Sequence, residues 1–198
     1  MAKLYFRYGA MNCGKSTAIM QVSYNYFERG MKALIIKPAV DTKGDDKVVS
    51  RLGIDRKVDY LIKEDQNILD LMKDHLSKED IHCLLVDEVQ FLKARHIDQL
   101  LEVAVLLNVP VICYGLRTDF LMNGFEGSER LLLIAHSIEE LKTICTCGRK
   151  ATLNGRKVNG QYVFEGEQVA IDGENHVAYQ SLCAACYLEH RGDIHEEK

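Results

Sequence analysis

The chain has 198 residues, 47% of them hydrophobic and 27% charged, which is ordinary for a folded globular domain and leaves no support for a disordered or low-complexity reading. With 25 basic residues against 29 acidic ones the net charge is -4, and no basic run of five or more occurs, so a nucleic-acid backbone is not expected as a partner; a small anionic ligand is compatible with this balance. Apolar runs such as Val103 to Leu107 fall far short of the ~20 residues of a membrane helix, and the first residues lack the pattern of a secretory signal, so no membrane partner and a cytoplasmic location are expected.

Lys3 to Tyr8 predicts an aromatic-rich strand, followed by a glycine-bounded turn from Gly9 to Gly14. A helix is expected from near Ser16, with Ile19, Met20, Tyr24 and Phe27 at helical spacing and a stop at Gly30. Ala33 to Ile36, closed by Pro38, predicts a second, buried strand, and the charged stretch Asp41 to Lys47 a mobile loop. Ile68, Leu69, Leu71, Met72 and Leu76 mark another amphipathic helix. Cys83 to Val86 then form a strand with Asp87 and Glu88 at its carboxyl end, where open parallel sheets place their ligand sites. A helix over Arg95 to Leu107, a strand over Val111 to Tyr114 and a further strand over Leu131 to His136 complete an alternating pattern. This pattern predicts an α/β fold with a mostly parallel sheet over residues 1–143. Beyond Lys142 the paired cysteines and scattered glycines predict a small, loop-rich module over 144–190, with a polar tail over 191–198.

Gly9-Ala10-Met11-Asn12-Cys13-Gly14-Lys15-Ser16 fits the pattern G-x-x-x-x-G-K-[ST], in which glycines let backbone N–H groups converge on phosphate oxygens at a helix N-terminus. Lys15 would neutralise the β- and γ-phosphates of a nucleotide and Ser16 would offer its hydroxyl to Mg²⁺. A helix N-terminus also lowers a thiol pKa, but Cys13 is read as a variable loop position that contributes backbone. Asp87 is expected to hold Mg²⁺ beside Ser16, leaving Glu88 as general base. These acids leave the nucleophile open: water makes an ATPase, here with a zinc module that binds protein or DNA, and a substrate hydroxyl makes a kinase.

Of seven cysteines, Cys13, Cys83 and Cys113 are scattered, while Cys145-Thr146-Cys147 and Cys183-Ala184-Ala185-Cys186 form two close pairs. Four thiolates with no open position fit a structural tetrahedral Zn²⁺. Buried free thiols, a redox pair and an iron–sulfur site are the competing readings. His190 and His195 are read as solvated.

Together these motifs resemble the cytosolic, zinc-containing (type II) thymidine kinases, in their bacterial form. The resemblance rests on Gly9 to Ser16, Asp87-Glu88-Val89-Gln90-Phe91, Tyr114 to Phe120, the four paired cysteines, and Glu167 to Gly173 through Tyr179. It implies a P-loop (RecA-like) α/β domain with helices on both sheet faces and a small C-terminal zinc-binding lasso domain. It implies transfer of the ATP γ-phosphate to the 5′-hydroxyl of thymidine, with Glu88 as base, and places Ala10, Asp87, Val89 and Gln90 with the phosphate loop in the ATP site. Met11, Phe91, Leu116, Phe120 and Phe125 are implied to line the thymine pocket, with Thr152, Gly173 and Tyr179 from the lasso. A homotetramer and feedback inhibition by thymidine triphosphate are implied as well. The sequence departs from the commonest family pattern at Ala10, where proline is frequent, in the C-x-C spacing of Cys145 and Cys147, and in a longer stretch around Asp172 and Gly173.

Overall fold

The computed structural model describes residues 1–39, 46–49, 53, 55–168 and 176–193. Its centre is a six-stranded sheet in the order β5-β2-β6-β7-β1-β8, parallel at every pairing. These strands are β1 (Leu4–Tyr8), β2 (Ala33–Pro38), β5 (Tyr60–Ile62), β6 (Cys83–Val86), β7 (Val111–Gly115) and β8 (Ser137–Glu140). A parallel sheet covered on both faces wants strands that are apolar throughout. Accordingly, β2 and β6 are buried at every residue.

Alternation along each strand divides the core in two. Leu4, Phe6, Leu34, Ile36, Leu84, Val86, Val111 and Cys113 pack on one face, against Met72 of α2 (Ile68–Leu76), Ile97 and Leu100 of α3 (Ala94–Leu106), and Leu131 of α4 (Glu126–Ile134). Ala33, Ile35, Cys83, Leu85 and Tyr114 face the other way, against Ile19 of α1 (Lys15–Glu28) and Val48 of β3 (Lys47–Val49), which pairs with β4 (Asp55–Lys57). Burial pushes the Cys83 thiol up to about 12 and the Cys113 thiol higher still, so both are packing residues with no ionisable role.

Several expectations change. Leu131 to His136 is not a strand: its first four residues end α4, and the sheet resumes only at Ser137. A short apolar run fits either period. Here leucines, which favour helix, extend a helix whose first turn carries Glu126 and Glu129 at the positive end of its dipole, and Leu133 is left 77% exposed. In α1 the inward face is that of Ile19, Val22, Ser23 and Tyr26, so Tyr24 and Phe27 are exposed where the apolar spacing had them packed. Of the loop expected over Asp41 to Lys47, residues 41–45 lie outside the described residues and Lys47 opens β3.

The C-terminal segment is a sheet module where a loop-rich one was expected. A hairpin of β9 (Thr143–Ile144) and β10 (Lys150–Ala151) leads to β11 (Leu153–Val158), which pairs antiparallel with β12 (Gln161–Val163) and β13 (Val177–Leu182) before α5 (Ala184–Arg191). The β11–β12 turn is Asn159-Gly160, both at positive φ (52° and 82°), the pair a two-residue hairpin favours because its twist matches that of the strands.

Candidate active site

Adjacent strands β6, β7 and β1 deliver three segments to the carboxyl edge of the sheet. After β1, Gly9 to Ser16 turns into α1. Gly14 caps the helix at φ 86°, a conformation that side chains resist. Gly9 donates its N–H to Gly115 O at 3.3 Å, and a Cβ there would strike Cys13 Sγ and come within 2.6 Å of Leu141 O. Lys15 is 8% exposed and lies within the loop, its Nζ donating to Ala10 O at 3.1 Å and 3.5 Å from Cys13 Sγ. Asn12 sits at φ 65°, and Ser16 is half-buried in the first turn of α1. Backbone donors at a helix N-terminus with a lysine inside the loop constitute an anion site.

After β6, Asp87 is 4% exposed and donates its N–H to Ile36 O at 2.9 Å. Glu88 is half-buried in the left-handed region, φ 47° and ψ 39°, a strain of about 1–3 kcal/mol that the surroundings must hold. Part of that hold is Gln90, itself buried: its Nε2 donates to the Glu88 carboxylate while its Oε1 accepts from Leu116 N at 3.1 Å. Val89 is packed in the core, so any approach to a nucleotide is by its backbone.

After β7, Leu116, Phe120 and Phe125 are nearly buried, and Phe91 meets Phe125 edge to face at 5.6 Å. Asp119 shapes this loop, its Oδ1 accepting from Leu121 N and Asn123 N at 2.8 Å each, and Ser128 Oγ donates to Leu116 O. Of the five apolar side chains expected to line the pocket, Phe91 stands on the loop after β6 and Leu116, Phe120 and Phe125 on the loop after β7, with Met11 in the phosphate loop. From β11, the Arg156 guanidinium lies 3.6 Å from the centre of the Phe120 ring. It donates Nε to Tyr179 Oη at 3.0 Å and a terminal nitrogen to Gln168 O at 3.1 Å. Gln168 Nε2 in turn donates to Asp119 Oδ2 and Gly124 O, each at 3.2 Å. Half-buried Met11 donates its N–H to Asn154 Oδ1 at 2.7 Å. Thr152 lies just before β11, its N–H on Leu182 O at 3.0 Å, and Gly173 lies outside the described residues.

Sequence reasoning missed Asn154 and Arg156 as members of this region, and had Asp119 and Gln168 inside the motifs without a role of their own. The available signal was Asn154-Gly155-Arg156, two polar residues two apart and so on one face of a strand, next to an Asn-Gly hairpin turn.

The four paired cysteines converge, all their sulfurs within 4.8 Å of one another and Cys147 Sγ 3.6 Å from Cys183 Sγ. Sulfurs around a tetrahedral metal at ~2.3 Å stand about 3.8 Å apart, so this donor set fits such an ion. Its titration fits too. Burial acts to raise the Cys145 thiol, but hydrogen bonds from the backbone N–H groups of Cys147 and Cys183 bring it down to about 6, whereas hydrogen bonding to the Cys147, Cys183 and Cys145 sulfurs pushes Cys186 up to about 12. Four thiolates in one cluster repel each other, and a bound dication removes that conflict. Exposed His190 stacks on Tyr162 at 4.0 Å, and His195 lies outside the described residues.

A parallel α/β sheet with a G-x-x-x-x-G-K-S loop, a buried aspartate at a nearby strand end and buried apolar side chains on the loops beside them defines a P-loop nucleotide-binding protein, here carrying a four-cysteine module. More narrowly, the chain belongs to the thymidine kinase family, whose family model matches residues 2–187. Thymidine kinase of Haemophilus influenzae is 48% identical over 196 residues, 98% of this chain and 100% of that protein. That of Rhodopirellula baltica is 49% identical over 191 residues, 96% and 89% of the two chains. Among solved structures, AMPPCP-bound DnaA from Aquifex aeolicus aligns with 72% of this chain and 41% of its own at 17% identity and a TM-score of 0.39, too distant a likeness to bear on the site.

Proposed function

We propose that this protein transfers the γ-phosphate of ATP to the 5′-hydroxyl of thymidine, giving thymidine monophosphate and ADP for DNA precursor salvage. The observation that carries the reading is the meeting, at the ends of β1, β6 and β7, of the phosphate loop, the Asp87-Glu88 pair and the apolar set of Leu116, Phe120 and Phe125. Membership of the thymidine kinase family supports it independently.

In this mechanism the backbone from Gly9 to Ser16 binds the phosphates of ATP and Lys15 neutralises charge on the β- and γ-groups. Ser16 and Asp87 would hold Mg²⁺, since their hydroxyl and carboxylate oxygens are the hard donors it prefers, and the ion would supply positive charge against that of the phosphates. Glu88, oriented by Gln90, accepts the proton of the 5′-hydroxyl as that oxygen bonds to the γ-phosphorus and the bond to the β-γ bridging oxygen breaks, releasing ADP. Met11, Phe91, Leu116, Phe120 and Phe125 receive the thymine ring, and Thr152, Gly173 and Tyr179 close on it from the lasso. Water is thereby excluded, which limits competing hydrolysis. Cys145, Cys147, Cys183 and Cys186 would hold structural Zn²⁺ in the module over 144–190, beyond a kinase domain over 1–143 and before a polar tail over 191–198.

The protein acts in the cytoplasm as a homotetramer, subject to feedback by thymidine triphosphate and with no nucleic-acid or membrane partner. No helix among the described residues is long and apolar enough to cross a membrane, and exposed Tyr24 and Phe27 offer apolar surface for association. A nucleoside panel with Mg-ATP tests the reading. Thymidine should yield its monophosphate and ADP in equal amounts; ADP release indifferent to nucleoside would overturn it.

A further inference from the structure

Asn154 is 3% exposed and joins three parts of the chain through one side chain. Its Oδ1 accepts from Met11 N at 2.7 Å, inside the phosphate loop and 143 residues away. Its Nδ2 donates to Thr118 O at 3.0 Å, just before the Asp119 turn that presents Phe120. One partner is an N–H and the other a carbonyl, so the position calls for an acceptor and a donor on one side chain, which the Asn154 amide supplies in this orientation. The strand behind it is fixed: a Cβ on Gly155, which faces the other way, would come within 2.7 Å of Leu182 Cδ1 and 2.8 Å of the Tyr162 ring. Two residues on, and on the same face of β11, Arg156 covers Phe120. Met11 has a single N–H, and in this loop it goes to the C-terminal sheet, which leaves phosphate contacts to the other N–H groups of the loop.

We infer that Asn154 is a positioning residue that couples the nucleoside pocket to the phosphate loop, so that seating thymidine against Phe120 and β11 fixes the loop in the geometry that grips ATP. This rests on the kinase reading above. A ligand that orders β11 and the 118–125 loop orders Met11 through the same amide, and by linkage nucleotide must tighten thymidine by the same factor.

The test uses the metal-loaded full chain, Mg²⁺ and a non-hydrolysable ATP analogue, with affinity measured by calorimetry with and without saturating thymidine. In the wild type, thymidine should tighten the analogue at least about fivefold, the lower range of site-to-site coupling. Asn154→Asp keeps the acceptor for Met11 N–H but sets a carboxylate oxygen against Thr118 O, and Asn154→Leu removes both bonds. In each the coupling ratio should fall below about 2, with zinc content and circular dichroism unchanged. A merely structural asparagine would lower thermal stability and leave that ratio alone. If neither variant folds, amide exchange at Met11 in the wild type decides: thymidine alone should slow it at least about fivefold, and unchanged exchange overturns the inference. A wild type inert towards thymidine defeats the kinase reading. One that phosphorylates thymidine while its analogue affinity ignores the nucleoside, or a folded variant with the wild-type ratio, defeats only the coupling.

Discussion

The α/β region and the cysteine module hold their shapes by different means. In the first, two layers of buried aliphatic side chains on opposite faces of one sheet fix where strands end, and the chemical residues are those just past the ends. In the second, the buried apolar set among the described residues is Cys145, Ala151, Leu182, Cys183 and Tyr187, two of which belong to the four-cysteine cluster. So small a core leaves the fold dependent on the four-cysteine cluster and on contacts with the larger region. A phosphate site needs a rigid frame and obtains it from packing, whereas the smaller module is pinned to that frame at a few polar points. Asn154, Arg156, Gln168 and Tyr187 are among those points, each reaching the loop after β7.

The sharpest contrast is made at Glu88. Glu88→Gln keeps the shape and the partner for Gln90 but cannot take a proton. Thymidine phosphorylation should fall at least ~10²-fold, the usual worth of a general base, while affinity for an ATP analogue holds. Steady-state assays with calorimetry check this, and near-normal turnover would remove Glu88 from its role.

At the module the converse is expected. Cys186→Ser, or a strong chelator, should lower bound zinc and strip amide protection from β11 to α5 while the six-stranded sheet stays protected. Phosphorylation of thymidine should drop by at least about tenfold, with analogue affinity measured without nucleoside holding within about threefold. Since the ligands must be thiolates, the metal should be lost as pH falls, never as it rises. Hydrogen exchange and metal analysis across pH decide it; loss of protection in both regions together would show one cooperative unit.

What could be read from the sequence follows the same division. The phosphate loop, Asp87-Glu88 and the strands β1, β2, β6 and β7 have local signatures: glycines at fixed offsets, or short apolar or aromatic runs closed by a glycine, a proline or an acidic pair. Leu131 to Ile134 was illegible because four apolar residues fit a buried strand as well as one face of a helix, and only Glu126 and Glu129 upstream decide between them. The C-terminal strands are short and paired at long range, with Asn159-Gly160 their one strong local mark. Asn154 and Arg156 could not be placed at all: what they do depends on Met11 and Phe120, far off in the chain, and nothing in a polar pair on a strand says what lies opposite.

Arg156→Gln probes the module's grip on the pocket without touching the cysteines. It removes a buried guanidinium from the Phe120 ring and from Tyr179 Oη. The KM for thymidine should rise about tenfold, in keeping with the worth of a desolvated cation–π contact, while the KM for ATP moves less than about twofold. Equal rises in both would mean that Arg156 supports the whole fold.

The mildest break is Tyr187→Phe. Tyr187 is buried, and its hydroxyl donates to Phe120 O at 2.7 Å, joining α5 to the pocket loop. The ring still fills its place against Phe164, but the carbonyl loses its donor in a dry setting, a cost of about 1–2 kcal/mol. That should lower the melting midpoint by roughly 2–8 °C. Kinetics should hardly change, because the Phe120 loop is held independently: Asp119 Oδ1 binds Leu121 N and Asn123 N on either side of the turn, and Ser128 Oγ binds Leu116 O. A melting curve and a thymidine titration on the same preparation separate the two outcomes. A thymidine KM that rose tenfold with Tyr187→Phe would mean that the pocket loop takes its shape from the cysteine module, and the division between a self-supporting frame and a pinned cover would fail at that loop.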